Sequence, residues 1–391
     1  MLTLVTADRL VTPLETIEHP IVIIDDGRIL QISTRAAIAL PVQAQHFDFP
    51  GLTITPASLD VHTHGASGHD SMEGTNAAIH AIGSHHAAHG VAAWLPTTVT
   101  APMDDTLRAL DGIARAIESF DASTTAARPL GIHLEGPFIS HVKRGVHPPE
   151  CILAPSIAVF ERFWQASRGH IRLLTIAPDA PGSSELIAHA RSLGVRISIG
   201  HSNATAAQAI DAIAAGATSA THTFNAMRPL DHREPGILGV VLDRDDLFAE
   251  LICDGVHLTP STVRLFHHAK PHARAILVTD SISATSMPDG EYSLGGLTVT
   301  LAGGVCTHPG THGGTLAGSV LTLDRAISNY VAFTRCGLAT AARAASFNPA
   351  LMLGIEDTAG QLALGHEASL NLLAADGSLA ATMLRGNLLN A

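Results

Sequence analysis

Basic residues are in short supply in this sequence: 23 lysines and arginines stand against 35 aspartates and glutamates, for a net charge of -12 at neutral pH. That balance argues against a nucleic-acid partner, which would call for a basic surface to neutralise phosphates. Long apolar runs are missing as well. No stretch of about 18 or more uncharged apolar residues occurs, so no membrane span is expected. The opening Met1-Leu-Thr-Leu-Val-Thr-Ala-Asp8 has neither the basic region nor the apolar core of a secretory signal. Cysteine is sparse: Cys151, Cys253, Cys306 and Cys336 lie far apart with no Cys-x-x-Cys pair. They read as the reduced thiols of a cytoplasmic protein, not as a disulfide frame or a cysteine zinc site. There is also no internal repeat and no low-complexity tract.

What the chain does hold is apolar bulk and histidine. At 391 residues and 46% hydrophobic content it can bury a large core. Residues 1–52 read as short strands and turns, with Leu2–Thr6 and Ile21–Ile24 β-rich and a hairpin signal at Asp25-Asp-Gly-Arg28. A second strand-rich piece, 359–391, holds Ala368–Ala375, a turn at Asp376-Gly377, and Ala380–Leu384. Together these suggest one small β domain built from both ends of the chain.

Between them, residues 53–358 alternate strand and helix. Strands are expected over Thr53–His64, Ala92–Val99, Pro129–Leu134, Ile171–Ala177, Val195–Gly200, Ser219–Thr223, Phe248–Asp254 and Ala275–Thr279. Helical patterns fall over Asn76–His89, Asp104–Phe120, Ser156–Arg168, Ser183–Leu193, Ala204–Ala215, Ser261–Ala269, Leu321–Phe333 and Ala339–Ala345. This spacing predicts a (β/α)8 barrel. An irregular Gly- and Thr-rich insertion, Met287 to Gly318, would sit on the C-terminal rim, where barrels build their sites.

The polar residues gather at that rim. The first strand ends in His62 and His64, whose side chains share one face of an extended backbone. The third ends in Glu135, the fifth in His201, the sixth in His222, the seventh in Asp254 to His257 and the eighth in Asp280. Taken alone, His-x-His is a weak signal in a chain with 24 histidines. Its recurrence with carboxylates along one edge of a barrel is not. Neutral imidazoles and carboxylates form a typical ligand set for a hydrolytic divalent metal. A carboxylate at its edge can relay a proton from water to the leaving group, and Asp280 fits that task.

With those residues in place, the chain resembles the N-acetylglucosamine-6-phosphate deacetylase family of the amidohydrolase superfamily over nearly its full length. The motifs that carry the likeness are Asp60-Val-His-Thr-His-Gly65, His133-Leu-Glu-Gly-Pro-Phe138, Gly200-His-Ser-Asn203, Thr221-His-Thr-Phe-Asn-Ala-Met227, Arg233-Glu-Pro-Gly236, Asp254-Gly-Val-His257 and Thr315-Leu-Ala-Gly-Ser319. The resemblance implies hydrolysis of the acetamide of an N-acetylhexosamine 6-phosphate by a barrel joined to a small β-sandwich. Carried over by motif, it makes Glu135, His201 and His222 ligands of a principal metal, with His62 and His64 able to hold a second beside Glu135 and Asp280. Zinc is the first choice of cation, with iron, manganese, cobalt or cadmium as alternatives. Asp280 would act as base and then acid, and His147 would polarise the amide carbonyl. Val146, Asn225, Ala226, Arg233, His257, Leu316, Ala317 and Gly318 would contact the sugar phosphate, with Arg233 reaching across a homodimer. Departures lie outside the metal ligands, at Pro56-Ala57 and Ala368-Ser369; Phe224 and Arg228–His232 also differ, which leaves the sugar epimer open. Rival readings are an amidohydrolase of N-acyl amino acids or cyclic amides, and a non-catalytic binding protein on the same scaffold.

Other histidines read as ordinary surface. His80, His85, His86 and His89, like His267, His268 and His272, are expected on solvated helix faces. His308 and His312 lie in the rim insertion with a substrate contact as the alternative reading. His133 shares a face with Glu135 and would support the site from behind. Cys253 reads as a buried core thiol, and the Gly303-Gly304 and Gly313-Gly314 pairs as turns.

Overall fold

The computed structural model describes residues 2–13, 15–37, 43–309 and 314–389. The expected barrel is present. Its strands are β1 (Ser58–Thr63), β2 (Val91–Thr98), β3 (Ile132–Glu135), β4 (Ile171–Ile176), β5 (Arg196–Ile199), β6 (Ser219–Ala220), β7 (Phe248–Ile252) and β8 (Ala275–Val278). Each pairs in parallel with the next, and a bridge between Thr63 and Ser281 closes β8 onto β1. Strands such as Phe248–Ile252 are buried at every position, as a parallel sheet covered on both faces requires.

The covering helices are α1 (Asn76–Ala88), α2 (Met103–Glu118), α3 (Ile157–Ala166), α4 (Ser183–Ser192), α5 (Ala206–Ala215), α6 (Gly236–Asp243), α7 (Pro260–Ala269) and α8 (Leu323–Thr334). Local chemistry starts several of them. Thr75, Ser156, Thr205 and Thr259 each cap a helix through the side-chain oxygen, and Gln208 completes a capping box with Thr205.

Four expectations need correction. The single strand expected over Thr53–His64 breaks at Ala57: Gln45–Pro56 pairs in the terminal sheet with Leu370–Leu373, and the barrel takes the chain from Ser58. Strand β6 stops at Ala220, because Thr221-His222-Thr223 leaves the sheet to form a turn. Helix α6 was not expected at all; its residues from Gly236 to Val241 are buried all round, so the apolar pattern has no polar face to reveal a period. The rim insertion is a regular antiparallel sheet of Gly290–Leu294, Leu297–Ala302, Val305–His308 and Thr315–Leu316. Its tight turns at Gly295-Gly296 and Gly303-Gly304 use positive φ, which glycine adopts freely. Leu294, Val299, Leu301 and Cys306 pack it down onto Met72, Val99 and Ile282. His312 and Gly313 lie outside the described residues.

Both termini build the second unit. Its strands run in the order Asn387–Leu389, Leu379–Leu384, Leu370–Leu373, Gln45–Pro56, Thr3–Val11, Pro20–Asp25 and Arg28–Thr34, with Thr16–Glu18 on Thr3–Val11. The sheet encloses its own core of Val5, Val22, Ile54, Leu370, Leu372 and Met383. Asn371 ties it to the barrel by donating to the Gly90 carbonyl at 2.8 Å, and Arg385 donates to Thr124 and Ala126.

Candidate metal centre and active site

Glu135, at the end of β3, is the hub. Its Oε1 lies 3.3 Å from His201 Nε2 and 3.2 Å from His222 Nε2, and those two nitrogens are 3.0 Å apart. Its Oε2 lies 3.3 Å from His62 Nε2 and 3.1 Å from His64 Nε2. Asp280 Oδ1 completes that second group, 3.5 Å from His62 Nε2 and 3.3 Å from His64 Nε2. One carboxylate thus serves two clusters, one oxygen each. Ligands at the corners of a tetrahedral zinc site stand about 3.3 Å apart, given bonds of about 2.0–2.1 Å. The separations here match that spacing, and the buried His62 Nε2 has no hydrogen-bond partner among the described residues. The donor set fits divalent cations.

Three imidazoles are turned the same way by what lies behind them. His62 Nδ1 donates to Glu250 Oε2 at 3.0 Å, His64 Nδ1 to the Thr97 carbonyl at 3.2 Å, and His201 Nδ1 to the Lys143 carbonyl at 2.9 Å. Each is left with Nε2 facing Glu135. His133 backs the cluster as expected, with its ring edge-on to His62 at 4.6 Å and its Nε2 2.8 Å from Thr175 Oγ1. From there buried hydroxyls continue through Thr221 to Ser198. Burial holds His133 well below the usual histidine range.

The backbone is bent to aim these groups. His201, His222 and Asp280 have φ of 45°, 28° and 50°, a region that costs non-glycine residues energy and is concentrated at functional sites.

Electrostatics separates the two sides of the centre. Burial disfavours charge on His64, but hydrogen bonds to Asp280 and Glu135 outweigh it and push the imidazole up to about 9. Burial likewise opposes ionisation of Glu135 and Asp280, yet His62 and the other facing histidines hold both carboxyls well below the usual range. His147 goes the other way, down to about 3, chiefly through burial and then the nearby His201.

Glu135, His147 and His201 can also be grouped as three ligands within 4.8 Å. Orientation favours His222 over His147 as the third: the Thr100 N–H donates to His147 Nδ1 at 3.2 Å, so neutral His147 carries its proton on Nε2 and is a donor.

The residues expected to meet the sugar phosphate vary in placement. His257 is largely enclosed, and Asp254 Oδ2 lies 2.7 Å from its Nδ1; burial lowers its pKa, but that hydrogen bond wins and raises it. Asn225 spends its backbone N–H on the His222 carbonyl, and the Ala226 carbonyl accepts from Ser202 N–H. Leu316 pairs with Thr307 in the rim sheet, the Ala317 N–H donates to the Cys306 carbonyl, and Gly318 lies beside Asp280, where Ser319 N–H donates to the Asp280 carbonyl at 2.7 Å. A Cβ on Gly318 would lie 2.4 Å from Ile282 and 3.0 Å from that carbonyl, which explains the glycine. Val146 packs against the rim sheet. Arg233 is exposed at the surface, outside the cluster. His308 bonds the Thr298 carbonyl within its own sheet.

Sequence reasoning missed Glu250, Thr97 and Thr175. Glu250 had a signal: a lone carboxylate in the apolar strand Phe248-Ala-Glu-Leu-Ile252 has to find a partner if it is buried.

A family model described as the amidohydrolase family matches residues 53–389. An N-acetylglucosamine-6-phosphate deacetylase of Bacillus subtilis (strain 168) is 34% identical over 382 residues, covering 97% of this chain and 95% of that one. An N-acetylgalactosamine-6-phosphate deacetylase of Escherichia coli O157:H7 is 38% identical over 316 residues, covering 81% and 82%. Among solved structures, an N-acetyl-D-glucosamine-6-phosphate deacetylase mutant from Mycobacterium smegmatis, in complex with N-acetyl-D-glucosamine-6-phosphate, superposes with a TM-score of 0.92 at 34% identity, covering 100% of both chains. By its barrel, its doubly shared glutamate and these likenesses, the chain belongs to the N-acetylglucosamine-6-phosphate deacetylase family of the amidohydrolases.

Proposed function

We propose that this enzyme hydrolyses the acetamide of an N-acetylhexosamine 6-phosphate, giving acetate and the amino sugar phosphate. The observation that carries the reading is the convergence of four imidazole Nε2 atoms on the two oxygens of Glu135, with Asp280 Oδ1 against two of them. Glu135, His201 and His222 would hold the principal cation, and His62, His64, Glu135 and Asp280 a second. Nitrogen and oxygen donors without thiolate suit zinc, and they also accept iron, manganese, cobalt or cadmium. When bound, such a cation lowers the pKa of a ligated water toward about 7 and polarises a carbonyl.

Asp280, kept ionised by its histidine neighbours, takes a proton from the attacking water and delivers it to the departing amine nitrogen. His147, neutral with its proton on Nε2, donates a hydrogen bond to the amide oxygen as negative charge builds there. His257, raised by Asp254, offers positive charge to the phosphate, with Asn225 and Ala226 alongside it. Arg233 would reach the phosphate of a neighbouring subunit, which agrees with its exposed position here. Val146 and Leu316 to Gly318 would border the sugar.

The test is amine release from N-acetylglucosamine 6-phosphate and N-acetylgalactosamine 6-phosphate, beside an N-acyl amino acid and a cyclic amide, with metal analysis of the same preparation. Preference for either sugar phosphate is expected, and relatives of both kinds are similar to this chain. Turnover confined to the N-acyl amino acid or the cyclic amide would refute the reading.

A further inference from the structure

Glu250 has no part in the chemistry above, yet it is wholly buried in the middle of β7. A carboxylate there is costly to keep, and a leucine would fill the space more cheaply. Its Oε2 accepts from two directions: from His62 Nδ1 at 3.0 Å and from the backbone N–H of His222 at 3.1 Å. Its own main-chain carbonyl accepts from Thr223 N–H at 2.9 Å. One side chain therefore reaches a histidine of each cluster, but in different ways. It grips the imidazole of His62, and only the backbone of His222.

That difference has a consequence. An oxygen already accepting the His222 N–H acts as acceptor to His62 as well, so the proton in that contact sits on His62 Nδ1, and Nε2 is the atom left to offer a lone pair to a cation. The lone pair then faces Glu135 and Asp280. Without Glu250 the ring could carry its proton on either nitrogen and rotate. His64 and His201 rely on main-chain carbonyls for the same service, so their orientation does not depend on Glu250.

We propose that Glu250 is a positioning residue for the second cation: it fixes His62 with Nε2 unprotonated and so makes the His62, His64 and Asp280 group a metal site, while the Glu135, His201 and His222 group stands without it. This rests on the metal-dependent reading above and goes beyond it by assigning the residue that sets metal stoichiometry.

The experiment compares wild-type enzyme with Glu250→Leu and Glu250→Gln, using zinc(II) alone as the probe. Two readouts are taken without substrate: zinc stoichiometry and affinity by titration, and the His62 tautomer by nitrogen NMR of the imidazoles in zinc-loaded protein. Wild type is expected to take two zinc ions per chain. Glu250→Leu should retain the first and bind the second about 10- to 100-fold more weakly, with the His62 tautomers mixed. Glu250→Gln, which still offers an acceptor oxygen, should recover most of the second site and the single tautomer. A purely structural Glu250 would lower stability in both variants and leave the tautomer alone. The proposal is overturned if Glu250→Leu binds both ions like wild type, if it loses both in parallel, if Glu250→Gln behaves like Glu250→Leu, or if wild type binds one ion only. Because no substrate is involved, a wild type that binds two ions yet cleaves no hexosamine acetamide would sink the proposed function and leave this inference standing.

Discussion

Asp280 reaches the centre from a backbone position with φ of 50°, its N–H given to the His62 carbonyl and its own carbonyl taken by Ser319. The main chain thus holds the carboxylate in place. Asp280→Asn keeps the shape, and asparagine tolerates the left-handed region well. The variant should keep the ion held by Glu135, His201 and His222 while kcat falls about 100- to 10,000-fold; parallel metal analysis and steady-state kinetics will check this. Turnover near wild type would remove the general-base role. At this scale the sequence was informative where chemistry is written in residue type. Glu135, His201, His222 and Asp280 stand at strand ends, and a barrel brings strand ends together. The supporting shell was less legible. That Glu250 meets His62 depends on the stagger between β7 and β1, which no local pattern encodes. Nor could composition say that Thr97 and Lys143 would orient imidazoles through their carbonyls.

Helix α1 shows the same limit one level up. Its span was legible from the helical pattern over Asn76–His89, yet its histidines were expected on a solvated face. His86 is instead buried against Trp94, ring centroids 5.1 Å apart, while His85 meets Ser67 and His89 pairs with Asp324. Burial holds His86 well below 6.5 and lowers His85 to about 4. The sign of the pH effect follows. Below pH 6.5 the unfolded chain protonates these rings and the folded one does not, so stability present at higher pH is lost as pH falls through that window. A single fully buried ring contributes a slope of about 1.4 kcal/mol per pH unit there. His86→Phe should therefore flatten the fall in denaturation midpoint as pH drops below 6.5; an unchanged slope would refute the burial argument. Elsewhere the element pattern was readable wherever strands and amphipathic helices alternate. It failed at α6, which is buried all round, and at the rim sheet, whose short strands alternate threonine with apolar residues.

At the scale of the whole molecule, Arg233 poses the main question. It is exposed, and its proposed contact is with the phosphate bound by a neighbouring subunit. Arg233→Ala should raise KM for the phosphorylated sugar far more than for the unphosphorylated one. Mixing it with Asp280→Asn gives a sharper test, since a mixed dimer carries one site with both residues intact. Activity regained on subunit exchange, above that of either variant alone, is expected; no recovery would place Arg233 in its own chain's site or in none. The seam of the barrel carries a different message. Asp60 takes the Thr279 hydroxyl at 2.6 Å across a separation of 219 residues, and His62 and Asp280 are joined through their backbones at the same seam. A ribosome must therefore extrude most of the polypeptide before Asp280 can meet the first pair of histidines. Until that late closure, nascent chains would offer a cation scattered imidazoles instead of a finished cradle, which makes completion of the candidate metal centre one of the last events in this protein's synthesis.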